Sequence, residues 1–240
     1  MTVHRKIAIS LLILLTTVAL SAQKAKPKND SNYDERLLHF GFSMGLNTMD
    51  FKIKTYEESG LKADIVALKP GINIQIVTDY RPSTYLDLRF LPGVSFGQRN
   101  INFYQDGEQF GETQILESSF LEFPLSLKAK GMRMNNARPY LIGGLNFRYD
   151  LAGKKEYDPD RPVYLRLRRA DLYYEAGAGI DFYLPYFKLT IEAKMSNGLR
   201  DVLWHDTPGS TNDPYPEQPA YMNAIQSLRS QMWVISFHFE

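Results

Sequence analysis

The chain of 240 residues carries a formal net charge of +1, with 44% hydrophobic and 13% aromatic residues and no cysteine. That balance excludes a disordered chain and gives no electrostatic reason for a nucleic-acid partner. The lack of cysteine removes disulfides, thiolate metal sites and thiol catalysis.

The first residues, MTVHRKIAISLLILLTTVALSAQ, place His4, Arg5 and Lys6 before an apolar run from Ile7 to Leu20 and then small residues Ala19, Ser21 and Ala22. This is the pattern of a cleaved secretory signal over residues 1–22. The run is shorter than the roughly 18 apolar residues of a spanning helix, and no cysteine follows it for lipid attachment. Residues 23–36 are polar, contain Pro27 and read as a flexible periplasmic tail. The folded domain is expected over residues 37–240.

From Leu38 the chain alternates with period two: Leu38, Phe40, Phe42, Met44 and Leu46 share one face, and His39, Gly41, Ser43, Gly45 and Asn47 the other. Seven further runs repeat the pattern. Ile72, Ile74 and Ile76 oppose Asn73, Gln75 and Asp79; Leu86, Leu88, Phe90, Val94 and Phe96 oppose Asp87, Arg89, Ser95 and Gly97. Leu121, Phe123, Leu125 and Leu127 oppose Glu122, Ser126 and Lys128; Leu141, Leu145, Phe147 and Tyr149 oppose Asn146, Arg148 and Asp150. Two more strands run over Asp171–Phe182 and Phe187–Ser196. In the eighth, QMWVISFHFE, the residues Trp233, Ile235, Phe237 and Phe239 form one row. The connections alternate between short turns near Pro82, Asn135 and Pro185 and long loops over Thr48–Lys69, Asn100–Gln114, Ala152–Ala170 and Arg200–Ser230. The end of the last loop, MNAIQSL, is compatible with a short helix.

Eight antiparallel strands fit either a soluble barrel with an apolar interior or a membrane barrel with an apolar exterior. The polar faces decide. They mix Gly41, Gly45, Gly97, Gly177 and Gly179 with mid-strand charges of both signs, Asp87, Arg89, Glu122, Arg148, Glu175, Glu192 and Lys194. Small residues and paired charges suit a narrow filled lumen; a solvated face is richer in long Lys and Glu and poorer in glycine. The fold class expected is therefore all-β, an eight-stranded antiparallel up-and-down transmembrane barrel with a polar lumen plugged by side chains. Tyr80, Tyr85, Phe103, Tyr104, Tyr149, Tyr183, Tyr186 and Phe187, near strand ends, are expected at the membrane interfaces. Pro92 and Pro124 lie within strands and nearly opposite each other across a hairpin centred on Gly107. They predict a shared bulge or a locally opened ladder.

The lumen charges read as a structural network rather than a catalytic or ion path, because a buried charge requires a partner. His205, Asp206 and Ser210 supply the residue types of a hydrolase, but within six positions of a proline-rich loop they carry no rigid presentation. No catalytic residue, metal site or cofactor is expected, and His238 is read as packed in the lumen. Arg166, Arg168 and Arg169, at the foot of a long loop, are candidates for contact with a partner protein or lipopolysaccharide.

The stretches DYRPSTYLDLRFLPGVSFGQR, ESSFLEFPLSLKAKGMRMNNARPYLIGGLNFRYDLAG, YYEAGAGIDFYLPYFKLTIEAKMSNGLRDVL and RSQMWVISFHFE resemble the PorT/SprT family of outer-membrane barrels. That resemblance implies a non-enzymatic place in the type IX secretion and gliding-motility apparatus, exporting proteins with C-terminal sorting domains. The implied partners are other secretion components, outer-membrane lipid and lipopolysaccharide, and the barrel assembly machinery that would read the aromatic closing strand. A small OmpA-like structural or adhesive barrel is the alternative; an outer-membrane enzyme using long-loop residues is a further one.

Overall fold

The computed structural model describes residues 29, 33, 35–56, 61–105, 107–152, 167–203 and 225–240. The strand segments are β1 (Leu38–Thr55), β2 (Leu61–Leu68), β3 (Pro70–Tyr80), β4 (Leu86–Phe90), β5 (Gly93–Gln105), β6 (Glu108–Lys130), β7 (Ala137–Asp150), β8 (Ala170–Tyr183), β9 (Lys188–Gly198) and β10 (Ile225–Phe239). β2 and β3 are one path interrupted at Lys69, and β4 and β5 are another interrupted at Leu91 and Pro92. The ten segments therefore form eight antiparallel strands, and β1 closes the ring by pairing with β10 on one edge and β3 on the other.

The register fixes the barrel's dimensions. Stepping across paired residues from Thr48 through Trp233, Met195, Ala176, Gly143, Leu127, Leu88 and Tyr80 returns to β1 at Leu38, ten residues back from the start. A stagger of ten over eight strands tilts each strand by roughly 40° and leaves an interior that side chains alone fill. Every residue on that path faces outward, so the stagger also sets the outer wall.

The wall between the short turns and the level of Trp233 is apolar outside. Phe40, Ile76, Leu127, Leu141 and Ile235 are each more than half exposed. Inward neighbours on the same strands, Ser43, Asp79, Lys128, Asn146 and His238, are buried. Closure pairs the backbone around the whole circuit, which a hydrocarbon surrounding requires.

At the two prolines the ladder opens without slipping. Phe90 pairs with Leu125 and Gly93 with Glu122, so the register on both sides of Leu91 and Pro92 is the same and no residue is inserted. The Leu91 N–H still reaches the Pro124 carbonyl at 3.2 Å, and the Pro92 carbonyl accepts from the Ile76 N–H at 2.9 Å. The partner side is intact, with Pro124 in register with Asn146. Asn146 Oδ1 there accepts the Phe123 N–H at 3.2 Å. The expected opened ladder is thus present on one side only, and it is not a bulge.

Beyond Trp233 the strands continue where long loops were expected. β1 runs on to Thr55, β2 lies within Thr48–Lys69, and β5 and β6 meet at the Gln105–Glu108 pair with Gly107 at φ 91°. Ile225–Leu228, compatible with a short helix by sequence, is instead the start of β10, because it pairs with β1 from Ser227 and Leu228 onward and again at Thr55. Here the polarity of the wall inverts. Phe51, Ile101, Phe103, Val202, Leu203, Ile225 and Leu228 form a buried cluster inside, while Lys52, Lys54 and Arg229 are exposed outside. Three residues expected at membrane interfaces are therefore elsewhere, among them Tyr104, half-buried beside the Gln105–Glu108 end of the extension. Phe103 is wholly inside this cluster, and Tyr183 is buried at the opposite mouth of the lumen; Tyr80, Tyr85, Tyr186 and Phe187 are the exposed ring at the short-turn end.

Candidate functional site

The lumen collects most of the chain's buried charge. Among the described residues, the buried cations are Arg81, Arg89, Arg99, Lys128, Lys130, Arg138, Arg148, Lys188 and Lys194. The carboxylates Asp79, Asp87, Glu122, Asp150, Asp171, Glu175, Asp181 and Glu192 face them, and the Glu240 side chain adds one more. The two sets are equal in number, so the interior is close to neutral and the desolvation of each charge is offset by an opposite neighbour.

Two arginines organise the network. Arg89, projecting from β4, places Nε at 2.7 Å and Nη2 at 2.6 Å from the two Asp79 oxygens of neighbouring β3, a bidentate pair. Its remaining donors cross the barrel to Glu192 of β9 at 3.3 Å and Glu240 at 3.1 Å. Arg148 of β7 lies 2.8 Å from Glu122 of β6 and 3.0 Å from Glu175 of β8. Lys194 of β9 links the two centres, 2.9 Å from Glu175 and 3.7 Å from Glu192. Neutral donors complete the carboxylates: Gln75 reaches Glu122 at 2.9 Å, Asn146 reaches Glu175 at 2.8 Å, and the Tyr140 hydroxyl reaches Glu192 at 2.6 Å. Gly179 makes room for that tyrosine, since a Cβ there would stand 2.5 Å from the Tyr140 hydroxyl.

The structure thus brings Arg89, Glu122, Arg148, Glu175, Glu192 and Lys194 into one connected set. Asp87 sits apart, nearer the short turns, where it accepts from Arg81 at 3.2 Å and Lys130 at 2.5 Å. His238 is fully buried with Nε2 3.6 Å from Glu192. Lys128, Asp181 and Thr190 form a further knot, with Asp181 Oδ1 accepting at 2.9 Å and 2.6 Å. Sequence reasoning left these out of the network, although their alternation places them inward. Glu240 is likewise outside that expected network, yet parity with Ser236 and His238 points it inward too.

The short-turn mouth is closed by residues before β1. Tyr33 is buried, stacks on His39 with ring centroids 3.9 Å apart and lies beneath Arg81 and Lys188. Its hydroxyl donates to Glu240 Oε2 at 2.6 Å and its carbonyl accepts from Arg81 at 3.1 Å. Asn29 donates from its backbone to Asn136 Oδ1 at 2.9 Å and from its amide to the Tyr183 carbonyl at 3.1 Å. At Asn29 and Tyr33, then, the stretch expected to be a flexible tail is docked against the barrel. Aromatic stacking and a buried hydrogen bond to a carboxylate outweigh the chain entropy of a short polar segment.

At the other end Arg99 caps the charged zone. It is fully buried, its guanidinium lies 3.9 Å from the Phe51 ring centroid, and Nη1 donates to Ser230 at 3.2 Å with Nη2 on Ser118. Above it the interior is the apolar cluster. Arg89, Lys128, Arg148, Tyr173, Lys188 and Arg99 are each less than 2% exposed. A water-filled pore would leave such side chains in contact with solvent, so the lumen is a packed interior at every level they occupy.

The remaining candidates are on the outside or beyond the described residues. Arg168 is exposed and Arg169 half-buried, with the Arg168 N–H on the Val202 carbonyl at 2.8 Å; Arg166 lies outside the described residues. So do His205, Asp206 and Ser210. Trp233, Ile235 and Phe237 face outward as exposed residues, and Phe239 stacks on Phe42 of β1 at 4.9 Å across the closing seam. Among the described residues no group of acidic and histidine side chains is arranged to hold a metal.

Residues 21–203 match the family described as "Outer membrane protein beta-barrel domain". No curated protein matches the sequence. Among solved structures, the outer membrane protein OprG from Pseudomonas aeruginosa is similar at 13% identity and TM-score 0.46, over 84% of this chain and 92% of its own. AlkL, solved in lipid bilayers, is 10% identical with TM-score 0.42 over 91% and 92%, and Ail of Yersinia pestis is 13% identical with TM-score 0.36 over 83% and 96%.

Proposed function

Because the chain belongs to the outer membrane protein beta-barrel domain family, we propose that this outer-membrane barrel works without catalysis, as an accessory or assembly component of type IX secretion. In this reading the short turns and the docked residues Asn29 and Tyr33 face the periplasm and the extended strand ends face outward, with the signal over residues 1–22 removed. The observation that carries a surface role is the packed lumen: Arg89 and Arg148 cross-link β3, β4, β6, β7, β8 and β9 through buried carboxylates, leaving no route for a polypeptide. The resemblance of the turns and lumen-facing stretches to the PorT/SprT family supplies the secretion context. Partners then meet the outer wall or the two ends: other secretion components, lipopolysaccharide, and the assembly machinery during insertion.

A small structural or adhesive barrel is the second reading, favoured by the ordered, water-facing extension of β1, β2, β5, β6 and β10 beyond Trp233. Deletion of the gene distinguishes them. Loss of secreted sorting-domain proteins supports the first; intact secretion with altered surface adhesion supports the second. Site-specific crosslinking in native membranes from Met132 at a short turn and from Gln105 at the extended end names the partner and its side.

A further inference from the structure

The closing seam carries a cationic patch where the wall changes from apolar to polar. Down the outer face, β1 and β10 pair Met44 with Phe237, Leu46 with Ile235, Thr48 with Trp233, Asp50 with Gln231 and Lys52 with Arg229. Lys52 and Arg229 are both exposed, and like charges directly opposite in a ladder repel each other. Lys54 continues the same row, and exposed Lys69 stands at the β2–β3 joint, one step past the Thr48–Pro70 pair. The carboxylate in this row, Asp50, is half-buried and its Oδ1 accepts the Phe51 N–H at 2.7 Å. No described side chain forms an ion pair with Lys52, Lys54, Lys69 or Arg229, whereas the lumen cations at Arg89, Arg148, Lys128, Lys188 and Lys194 all have carboxylate partners.

We propose that Lys52, Lys54, Lys69 and Arg229 form a site for the phosphates of a phosphorylated outer-leaflet lipid whose acyl chains lie on the adjoining apolar wall. The position fits this ligand on two counts. Trp233 marks the upper edge of the apolar band, as interfacial tryptophans do; Lys52 and Arg229 stand two outward positions beyond it, Lys54 three, and Lys69 beside the Thr48–Pro70 pair at its level, with stems long enough to reach back toward the headgroups. Lys52, Lys54, Lys69 and Arg229 outnumber the described carboxylates beside them, Asp50 and the exposed Asp64 of β2, and the surplus of positive charge is what a diphosphorylated headgroup neutralises, while Leu46, Ile235 and Phe237 continue below as a surface for acyl chains. A soluble anion would use the charges and leave that apolar continuation without a role.

The site rests on the outward orientation given above for its leaflet, so binding is measured in symmetric lipid nanodiscs, where neither orientation nor secretion enters. Native mass spectrometry of the whole protein, with diphosphoryl lipid A as probe, is expected to show retained lipid. The variant Lys52→Ala/Lys54→Ala/Lys69→Ala/Arg229→Ala is expected to lose retention by about tenfold or more, since each basic residue near a charged surface adds to the attraction. Unheated SDS mobility identical to that of the parent shows that the variant is folded; should it fail to fold, Lys52→Gln/Arg229→Gln alone is expected to lose several-fold. Equal retention by the folded variants overturns the site. Retention of dephosphorylated lipid A as strong as that of the diphosphoryl form, or displacement of lipid A by millimolar inorganic phosphate, overturns a phosphorylated lipid as its ligand.

Discussion

Within single strands this chain builds two interiors of opposite character. Between the short turns and Trp233, β1 and β10 present Phe42, Met44, Phe237 and Ile235 outward and hold Ser43, Asn47, Ser236 and His238 inside. A few residues further on the same strands hold Met49, Phe51 and Leu228 inside and expose Lys52 and Arg229. The backbone hydrogen bonding is continuous across the change. What switches is the solvent outside: hydrocarbon makes apolar side chains costless outward and leaves charge to be matched inside, whereas water reverses both preferences. The membrane-level interior is held by electrostatic complementarity, the outer one by the hydrophobic effect, and Arg99 on the Phe51 ring joins them.

Substitutions that respect one interior should damage the other. Arg89→Ala leaves Asp79 buried without its cation and takes one of two cations from Glu192, which keeps Lys194, and from Glu240, which keeps Lys188; it is expected to cost about 5 kcal/mol. It should abolish the heat-modifiable, SDS-resistant band, and an unchanged band would break the claim that charge pairing holds this zone. Phe103→Ala in the outer cluster should cost about 3 kcal/mol yet leave that band in place, with faster hydrogen exchange confined to β5, β6 and the start of β10. Outside, Leu125→Arg at mid-wall should cost ~2–3 kcal/mol in urea unfolding from lipid, while Gln231→Arg, beyond Trp233, should be near neutral. Equal costs would mean that the apolar band is misplaced. Gly179→Ala should cost ~1–2 kcal/mol by displacing Tyr140 from Glu192.

The smallest effect belongs to the short-turn mouth. Tyr33→Phe removes the hydroxyl bond to Glu240 and should cost about 1 kcal/mol. Burial, and after it the neighbouring Glu240 carboxylate, raise the Tyr33 phenol well above its ordinary value, so it stays protonated in the folded barrel. The sign follows: this contribution is fully present below the unfolded tyrosine value of about 10 and declines as pH rises above it. Stability of the parent and Tyr33→Phe proteins should therefore converge at strongly alkaline pH.

The faces of the barrel were legible in the sequence because period-two alternation is strong wherever one side meets lipid; Leu38–Leu46 and Trp233–Phe239 are examples. The extended strand ends were not, for a physical reason. Phe40 to Leu46 put apolar residues at even numbers and Met49, Phe51 and Ile53 put them at odd ones, which on the page looks like the end of a strand. It is the same strand in a different solvent. Ile101 and Phe103 hide β5 in the same way after Phe96. In the lumen, alternation marked which charges point inward, but pairing across the barrel depends on a ten-residue stagger that no local pattern encodes. Docking of Asn29 and Tyr33 was hidden too, because their partners lie more than a hundred residues away at Asn136 and Glu240.

The four-way contact at Arg89 also sets an order of events. Asp79 and Arg89 are within one hairpin, but Glu192 and Glu240 belong to segments more than a hundred residues further along the chain. Until β9 and β10 arrive, the early hairpin carries donors with nowhere to bond, and a half-built wall exposes them to hydrocarbon. Insertion one strand at a time therefore climbs in free energy, and the gain comes in a single step when the ring shuts. Such a barrel is expected to show few stable partial forms, its strands gained or lost together rather than one by one.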